Sequence, residues 1–224
     1  VVVEATGDPA AGVRHARAAC AAGRHLVMVN VEGDALVGPL LAEEFRAAGL
    51  VYSLAWGDQP ALIAEHVDWA RTCGFEVVAA GKGTRYLPAY HASTPETVWA
   101  NFGWSDDFAV RGRMNPKMFN SFIDGTKSGI EMAAVCNATG LRPQAEGLGF
   151  PPASRFELST VLRPRQVGGT LAFPGTVEVV SSLTREGRSV PGHLQFGTFV
   201  VIEAPTEYAR RCFEEYDMLP DPSF

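Results

Sequence analysis

Polar side chains recur along one face of a helix predicted near the middle of the chain. The apolar spacing from Pro116 to Thr139 predicts one long helix, with Asn115 as its cap and Gly140 as its end. Asn, Asp and Ser are poor helix formers, so a face that carries them favours a site over a plainly solvated stripe. At about 100° per residue, the side chains that share this face are Lys117, Asn120, Asp124 and Lys127.

These residue types suit the reduction of a carbonyl group or the reverse oxidation. A carbonyl that receives a hydride develops negative charge on its oxygen and needs a cation or an acid beside it. Asp124 could hold a lysine in place, orient a substrate hydroxyl or ligate a divalent cation, so a metal requirement stays open. The residues predicted to carry the chemistry are therefore Lys82, Lys117, Asp124 and Lys127.

Four further polar residues are predicted to contact the substrate. Two lysines on one face would clamp a phosphate or carboxylate, and Arg85 competes for that role. Asn115 and Asn120 would bind sugar hydroxyls, and Ser128 lies beside them. The substrate class that fits is a small polar molecule, either sugar-derived or acidic.

The residues that must position a cofactor lie near the start of the chain. Thr6 and Gly7 follow an apolar strand, and Asn30 ends the next one. Dinucleotides bind at the C-terminal edge of a parallel sheet, so we predict that these three residues lie there and contact NAD or NADP. No Gly-x-Gly-x-x-Gly motif occurs, which we attribute to a sequence that begins inside the cofactor domain.

Short apolar strands alternate with longer helices through the first third of the chain. This alternation is typical of a parallel sheet covered on both faces, here the C-terminal half of a Rossmann-like domain in an α/β protein. The predicted elements are a strand Val1–Ala5, a helix from Asp8 to Gly23, a strand His25–Asn30, a helix Asp34–Gly49, a strand Leu50–Ala55, a helix opened by Trp56–Pro60 and running to Gly74, and a strand Phe75–Ala80.

The pattern changes after Gly81. Residues 82–113 are rich in aromatic side chains without a clear period, which predicts a long functional loop. Residues 141–176 are also loop-like, before strands at Thr176–Ser182 and Gln195–Glu203 and a helix at Pro205–Tyr216. We predict a cofactor half at 1–75, an α+β catalytic domain at 76–218 and the start of a linker at 219–224. The aromatic residues expected to form a lid or core patch are Trp99, Phe102, Trp104 and Phe108.

Three segments resemble the cofactor domain of homoserine dehydrogenases. One of them is Ala80-Gly81-Lys82-Gly83-Thr84, which resembles the Asn-Gly-Thr turn of that family. The run Ala21-Ala22-Gly23-Arg24-His25 through Asn30 matches the end of a helix and the strand that follows it in that family. Trp56-Gly57-Asp58-Gln59-Pro60 resembles its Gly-x-Pro turn, which implies that Gly57 also contacts the cofactor. Where that family has a lysine after the strand-end Asn, this chain has Val31, so homoserine is a doubtful substrate.

A second resemblance covers nearly the whole chain. The segments Gly81–Pro88, Met114–Phe122 and Asp124–Ser128 resemble the homoserine-dehydrogenase-like oxidoreductases related to the second type of deoxyxylulose-phosphate reductoisomerase, the DRL type. Such proteins often join a Rossmann domain, a catalytic domain of this kind and a C-terminal SAF-type module. The resemblance implies an NAD(P)-dependent oxidoreductase, with a coupled isomerisation as a further option.

Composition excludes several other classes. The net charge of −6, without any basic run, argues against a nucleic-acid partner. No leader and no long uncharged apolar run is present, so neither secretion nor membrane insertion is expected. We expect a homo-oligomer that acts on a small molecule. We also expect a reducing, cytoplasmic compartment, because the four scattered cysteines are predicted to be buried free thiols: Cys20, Cys73, Cys136 and Cys212.

A non-catalytic relative that senses a nucleotide or metabolite is the alternative. Val31 in place of lysine and the missing glycine motif favour it. The polar stripe favours an enzyme, since a sensor need not keep two lysines and Asp124 on one face.

Overall fold

The first part of the chain forms a parallel sheet with strand order β1-β2-β3. The computed structural model describes residues 1–216 and 218. Val2 pairs with Leu26, and Leu26 pairs with Tyr52, both in parallel register. The parallel arrangement predicted for the first two strands is therefore confirmed. The strands are β1 (Val2–Glu4), β2 (Leu26–Met28) and β3 (Tyr52–Leu54).

Helices α1 (Pro9–Ala21) and α2 (Val31–Ala47) pack on this sheet. The Asp8 carboxylate caps α1 by accepting a hydrogen bond from Ala11 N at 2.6 Å, as the sequence predicts. α2 begins three residues before the predicted start because the Asn30 side chain caps it. The two helices and strands close a core that contains Ala16, Ala19, Leu26, Met28, Leu41 and Phe45.

α2 is interrupted at Val37, whose φ of −146° is not helical, just before Pro39. The interruption leaves backbone carbonyls of the first turns without helical partners. Asn137 Nδ2 donates to the carbonyls of Asp34 at 3.0 Å and Ala35 at 3.4 Å. These two hydrogen bonds connect α2 to the helix Thr126–Thr139, which carries Asn137.

A second sheet has the order β5-β4-β6. Its strands are β4 (Glu76–Thr84), β5 (Thr176–Ser181) and β6 (Thr198–Glu203), with β4–β5 parallel and β4–β6 antiparallel. The prediction that the strand at 75–80 continues the first parallel sheet is wrong. Helix α3 (Gln59–Thr72) explains the change, because Ile63, Val67 and Ala70 bury their side chains in the core of the second sheet.

The single long helix predicted from Pro116 to Thr139 is also wrong. The structure has α6 (Pro116–Ile123) and α7 (Thr126–Thr139), separated by Asp124 and Gly125. Gly125 has φ +94°, a left-handed conformation that glycine adopts readily and that ends a helix. The apolar period continues across this junction, so periodicity alone does not show the break.

The two segments predicted as loops contain short helices. Single 3₁₀ turns lie at Pro88–Ala92 and Arg165–Val167. The α-helices are α4 (Val98–Phe102), α5 (Asp106–Arg111) and α8 (Leu158–Val161), and α9 (Glu207–Glu215) follows β6. Trp99, buried in this region, belongs to a core cluster with Tyr90, Val98, Ala109, Ile123 and Leu183.

The four cysteines have free thiols. Cys73 is exposed at the end of α3 and the other three are half-buried, so the prediction that all four are buried is wrong. Among the residues that the structure describes, no helix is both long and apolar enough to cross a membrane.

Candidate active site

The predicted cofactor residues lie together where β1 and β2 end. Asn30 Nδ2 donates to the carbonyl of Asp8 at 2.8 Å and to Thr6 Oγ1 at 3.5 Å. Asn30 Oδ1 accepts from Gly33 N at 3.3 Å. One amide therefore ties both strand ends to the start of α2, and Thr6 and Asn30 share the C-terminal edge of the sheet.

A buried carboxylate supports this edge. Glu4 is 2% exposed and accepts from Thr6 N at 3.2 Å, Thr6 Oγ1 at 2.6 Å and His15 Nδ1 at 3.2 Å. Burial acts to raise the pKa of Glu4, but the hydrogen bonds from Thr6, His15 and Asn30 outweigh it and lower that pKa. Glu4 therefore stays ionised and fixes the backbone turn in front of Gly7.

Space for a ligand lies beside both glycines of this edge. Gly7 has φ +70° and Gly57 has φ +103°, and a Cβ added to either would meet no atom within 4 Å. A flat nucleotide can approach the backbone closely at such positions. The donors and acceptors of the edge and this open space fit a nicotinamide nucleotide.

Lys82 and Glu131 form a buried ion pair behind the edge. Lys82 lies in β4, which runs past the predicted strand end at Ala80 into the segment predicted as a loop. Lys82 Nζ donates to Glu131 Oε2 of α7, and the two side chains are 8% and 3% exposed. Burial raises the pKa of Glu131, although the charges of Lys82 and Lys127 oppose that rise.

A second ion pair joins this pair to the cofactor edge. Lys127 Nζ lies 3.2 Å from Glu32 Oε1, which connects α7 with the first turn of α2, directly after Asn30. Asp58 follows Gly57 and lies near enough to Glu131 to add to the rise in its pKa. The two lysines, the three acids and the sheet edge thus form one polar centre.

Ser128 directly follows Lys127 in α7. It is 1% exposed on the first turn of α7, and its hydroxyl has no hydrogen-bond partner in the part of the chain that the structure describes. A buried hydroxyl without a partner costs free energy that a bound ligand can recover.

Three other predicted site residues have local structural contacts. The Asn115 side chain caps α6 by accepting from Lys117 N at 3.0 Å and Met118 N at 3.3 Å. Asp124 accepts from Thr126 N at 2.8 Å and from Asn120 Nδ2 at 2.9 Å, so it holds the junction of α6 and α7. Asn120 is buried, and its Oδ1 has no partner within the described residues.

Lys117 is the predicted lysine that is not part of the polar centre formed by Lys82 and Lys127. It is exposed on the first turn of α6, before the helix break, so it does not share a helix face with Lys127. The argument from one common helix face is therefore wrong for Lys117. Arg85 directly follows β4 and lines a cavity of about 340 Å³ with Thr84 and several aromatic residues.

Glu131, Glu32 and Asp58 are the members of the polar centre that the sequence prediction did not assign a role. A usable signal existed for Glu131, because it follows Lys127 by four residues and is the acidic residue of α7. Glu178 is a further buried carboxylate, 1% exposed in β5, whose oxygens accept from the backbone N–H groups of Val179 and Gly149 and from the Gln144 side chain.

The possible divalent metal has no support in the geometry. Over residues 1–216 and 218, no group of three or more His, Cys, Asp or Glu side chains is arranged to hold a metal ion. Asp124, the proposed ligand, is engaged by Thr126 and Asn120.

Comparison with known proteins identifies one family. The model of the catalytic domain of oxidoreductase DRL matches residues 57–224. The match begins just before α3, the helix whose apolar face lies in the core of the second sheet. No curated protein matches the chain.

Proposed function

Because the chain belongs to the family of the oxidoreductase DRL catalytic domain, we propose that it is an NAD(P)-dependent oxidoreductase that interconverts a carbonyl and a hydroxyl group. The observation that carries this proposal is the buried Lys82–Glu131 pair beside the edge formed by Thr6 and Asn30. A buried acid with a shifted pKa, such as Glu131, is common at catalytic sites.

The residues of the sheet edge would hold the cofactor. Thr6, Gly7, Asn30 and Gly57 border the open space at the ends of the strands. A bound nicotinamide would supply or accept the hydride. Glu4 keeps Thr6 in place through two hydrogen bonds.

Lys82 and Lys127 would act on the substrate oxygen. In the direction of reduction, Lys82 Nζ gives a proton to that oxygen as negative charge develops there. The Glu131 carboxylate holds the Lys82 ammonium in place, and water replaces the proton that Lys82 gives up. The ammonium of Lys127, positioned by Glu32, adds electrostatic stabilisation, and the free hydroxyl of Ser128 binds the substrate.

The substrate in this proposal is a small polar molecule, either sugar-derived or acidic. The proposed reaction includes a coupled isomerisation of that substrate as an option. Two cations in one buried centre support a substrate with oxygen functions on neighbouring carbons, since each lysine can contact one oxygen. NAD and NADP remain equal candidates.

Replacement of Lys127 tests the proposal. Its side chain is 22% exposed and that of Glu32 is 30% exposed, so their ion pair contributes only about 1 kcal/mol or less to folding. We expect Lys127→Met to keep the unfolding free energy within that range and to lower turnover about 10²-fold or more. The measurement is NADPH or NADH oxidation at 340 nm against a panel of hydroxy-ketones, keto acids and sugar phosphates.

Arg111→Met is the matched control, because Arg111 is an exposed cation at the end of α5. It should leave turnover unchanged. Equal turnover of Lys127→Met and the unmodified protein would refute the assigned role of Lys127.

A nucleotide or metabolite sensor is the second candidate. It is favoured by Val31, which is 1% exposed at the start of α2 and supplies no proton where homoserine dehydrogenases have lysine. Cofactor binding, followed by cofactor fluorescence, without oxidation by any member of the panel would support the sensor over the enzyme.

A further inference from the structure

A cavity of about 340 Å³ lies at the end of β4 and is lined mainly by aromatic rings. Rings from α4, the segment before α5, and α6 stack on one another around it. Phe102 and Trp104 are stacked with centroids 4.6 Å apart, and Phe119 contacts both edge to face. Such walls favour a flat or apolar ligand group, because ring contacts add to the burial of apolar surface.

Arg85 lines the same cavity. Within the described residues, no carboxylate forms an ion pair with it, and its Nε is buried without a hydrogen-bond partner. A guanidinium carries five N–H donors in a planar fork that matches a carboxylate or a phosphate. An unpaired arginine at an aromatic cavity is therefore prepared to bind an anion.

A strained loop before β6 contributes to the lining of the cavity. Phe196 lines it with φ +67°, an uncommon conformation for a bulky residue, and 68% of its surface is exposed. Phe196 N donates to Gly83 O at 3.2 Å, and Gly83 N donates to Gly197 O at 3.0 Å. A Cβ at Gly83 would lie 2.1 Å from the carbonyl oxygen of Leu194, so a glycine is needed for this close approach.

The cavity is within reach of the proposed reacting groups. Thr84, which lines it, is two residues beyond Lys82 in β4, so both side chains lie on the same face of the strand. Two residues of strand span roughly 7 Å. A substrate of ordinary metabolite size can contact Lys82 and the cavity at once.

We propose that this cavity binds the far end of the substrate and that this end is a flat, apolar group carrying an anion, either a carboxylate or a phosphate. The flat group lies between the aromatic walls and Phe196, and the anion binds to Arg85. This inference rests on the proposed function for the position of the reacting carbonyl near Lys82. It adds a flat apolar end with an anion to the polar substrate of that proposal.

Ligand-observed NMR on the full chain tests the cavity without knowledge of the substrate. The probes are phenyl phosphate and benzoate, compared with benzyl alcohol, which lacks the charge, and inorganic phosphate, which lacks the ring. We expect at least one of the two aromatic anions to bind with a Kd of a few millimolar or better, and both incomplete probes to bind about tenfold more weakly. Preference for phenyl phosphate assigns a phosphate, and preference for benzoate assigns a carboxylate.

Two variants locate the binding. Arg85→Gln should raise the Kd of the preferred probe about tenfold, whereas Arg111→Gln, an exposed arginine on α5, should leave it unchanged. Phe196→Ala removes an exposed ring that folding does not require and should raise the Kd several-fold.

Binding of neither aromatic anion, or equal Kd values for Arg85→Gln and the unmodified protein, would overturn the inference. Cofactor binding and the Lys127→Met assay do not depend on these probes. A failure of the cavity proposal is therefore distinguishable from a failure of the oxidoreductase proposal.

Discussion

Replacing Lys82 with Met separates the stabilising role of the buried ion pair from its proposed catalytic role. The side chain of Glu131 is 3% exposed, so loss of Lys82 leaves a buried carboxylate without its counter-ion. Breaking a buried pair from one side costs about 3–5 kcal/mol. We expect a loss of this size in the unfolding free energy of Lys82→Met at neutral pH.

The double variant Lys82→Met/Glu131→Leu removes both charges and keeps apolar volume. Replacement of a buried pair by packed apolar side chains is often neutral or stabilising by about 1–4 kcal/mol. We therefore expect most of the stability to return, with a coupling energy of about 3 kcal/mol or more between the two sites. Turnover should stay about 10²-fold or more below that of the unmodified protein, because Lys82 Nζ is still absent.

The stability loss of Lys82→Met should also depend on pH. Burial raises the pKa of Glu131, and removal of Lys82 takes away the largest opposing contribution. Between the ordinary carboxyl pKa and this raised value, the folded state holds a proton that the unfolded state has released. The unfolding free energy of the variant therefore rises as the pH falls through this window.

Urea unfolding followed by circular dichroism at pH 5 and pH 8, with turnover measured on the same samples, is the assay. The reasoning is refuted if the double variant is as unstable as the sum of the single variants. A Lys82→Met protein that loses equal stability at both pH values would contradict the assignment of the cost to Glu131.

The remaining predictions concern two glycines, the cap of α2 and a buried carboxylate. Gly81→Ala should abolish folding, because the added Cβ would lie 1.7 Å from the carbonyl oxygen of Glu178. Gly129→Ala should stabilise the protein by about 0.5–1 kcal/mol in thermal unfolding, because the added Cβ meets open space and the position lies inside α7. Asn30→Ala should cost about 0.5–2 kcal/mol through the lost α2 cap and should raise the Kd for NADPH; an unchanged Kd would exclude Asn30 from the cofactor site. Glu178→Leu removes the acceptor of several buried N–H donors and should lower the unfolding free energy by about 3 kcal/mol or more; a smaller loss in urea unfolding would mean that the donors find other partners.

Local elements of the fold were predictable because their signals lie within a few residues. Asp8 caps α1, Asn115 caps α6, and Gly140 ends α7 with φ +72°, each as expected from the residue type alone. The break at Gly125 was missed because an apolar period that fits one helix also fits two helices joined by a short turn.

The candidate site was predicted in part. The edge of Thr6 and Asn30 follows from the rule that parallel strands end on one side of a sheet. The predicted position of Lys117 on the same helix face as Lys127 was wrong, because it assumed one unbroken helix. The domain boundary at residue 75 stays a prediction. Helix α3 lies before that boundary, yet its apolar side chains pack in the core of the second sheet.

The sequence by itself determined local caps and stops, such as Asp8 before α1 and Gly140 after α7, and which residue types could reduce a carbonyl. These properties depend on neighbours along the chain. Only the tertiary structure decided which charges meet, because Lys82 and Glu131 are 49 positions apart and Glu32 and Lys127 are 95 apart. Such pairs form only when both sheets and α7 have packed, since burial of the surrounding apolar side chains sets the distance between the charges and the polarity around them.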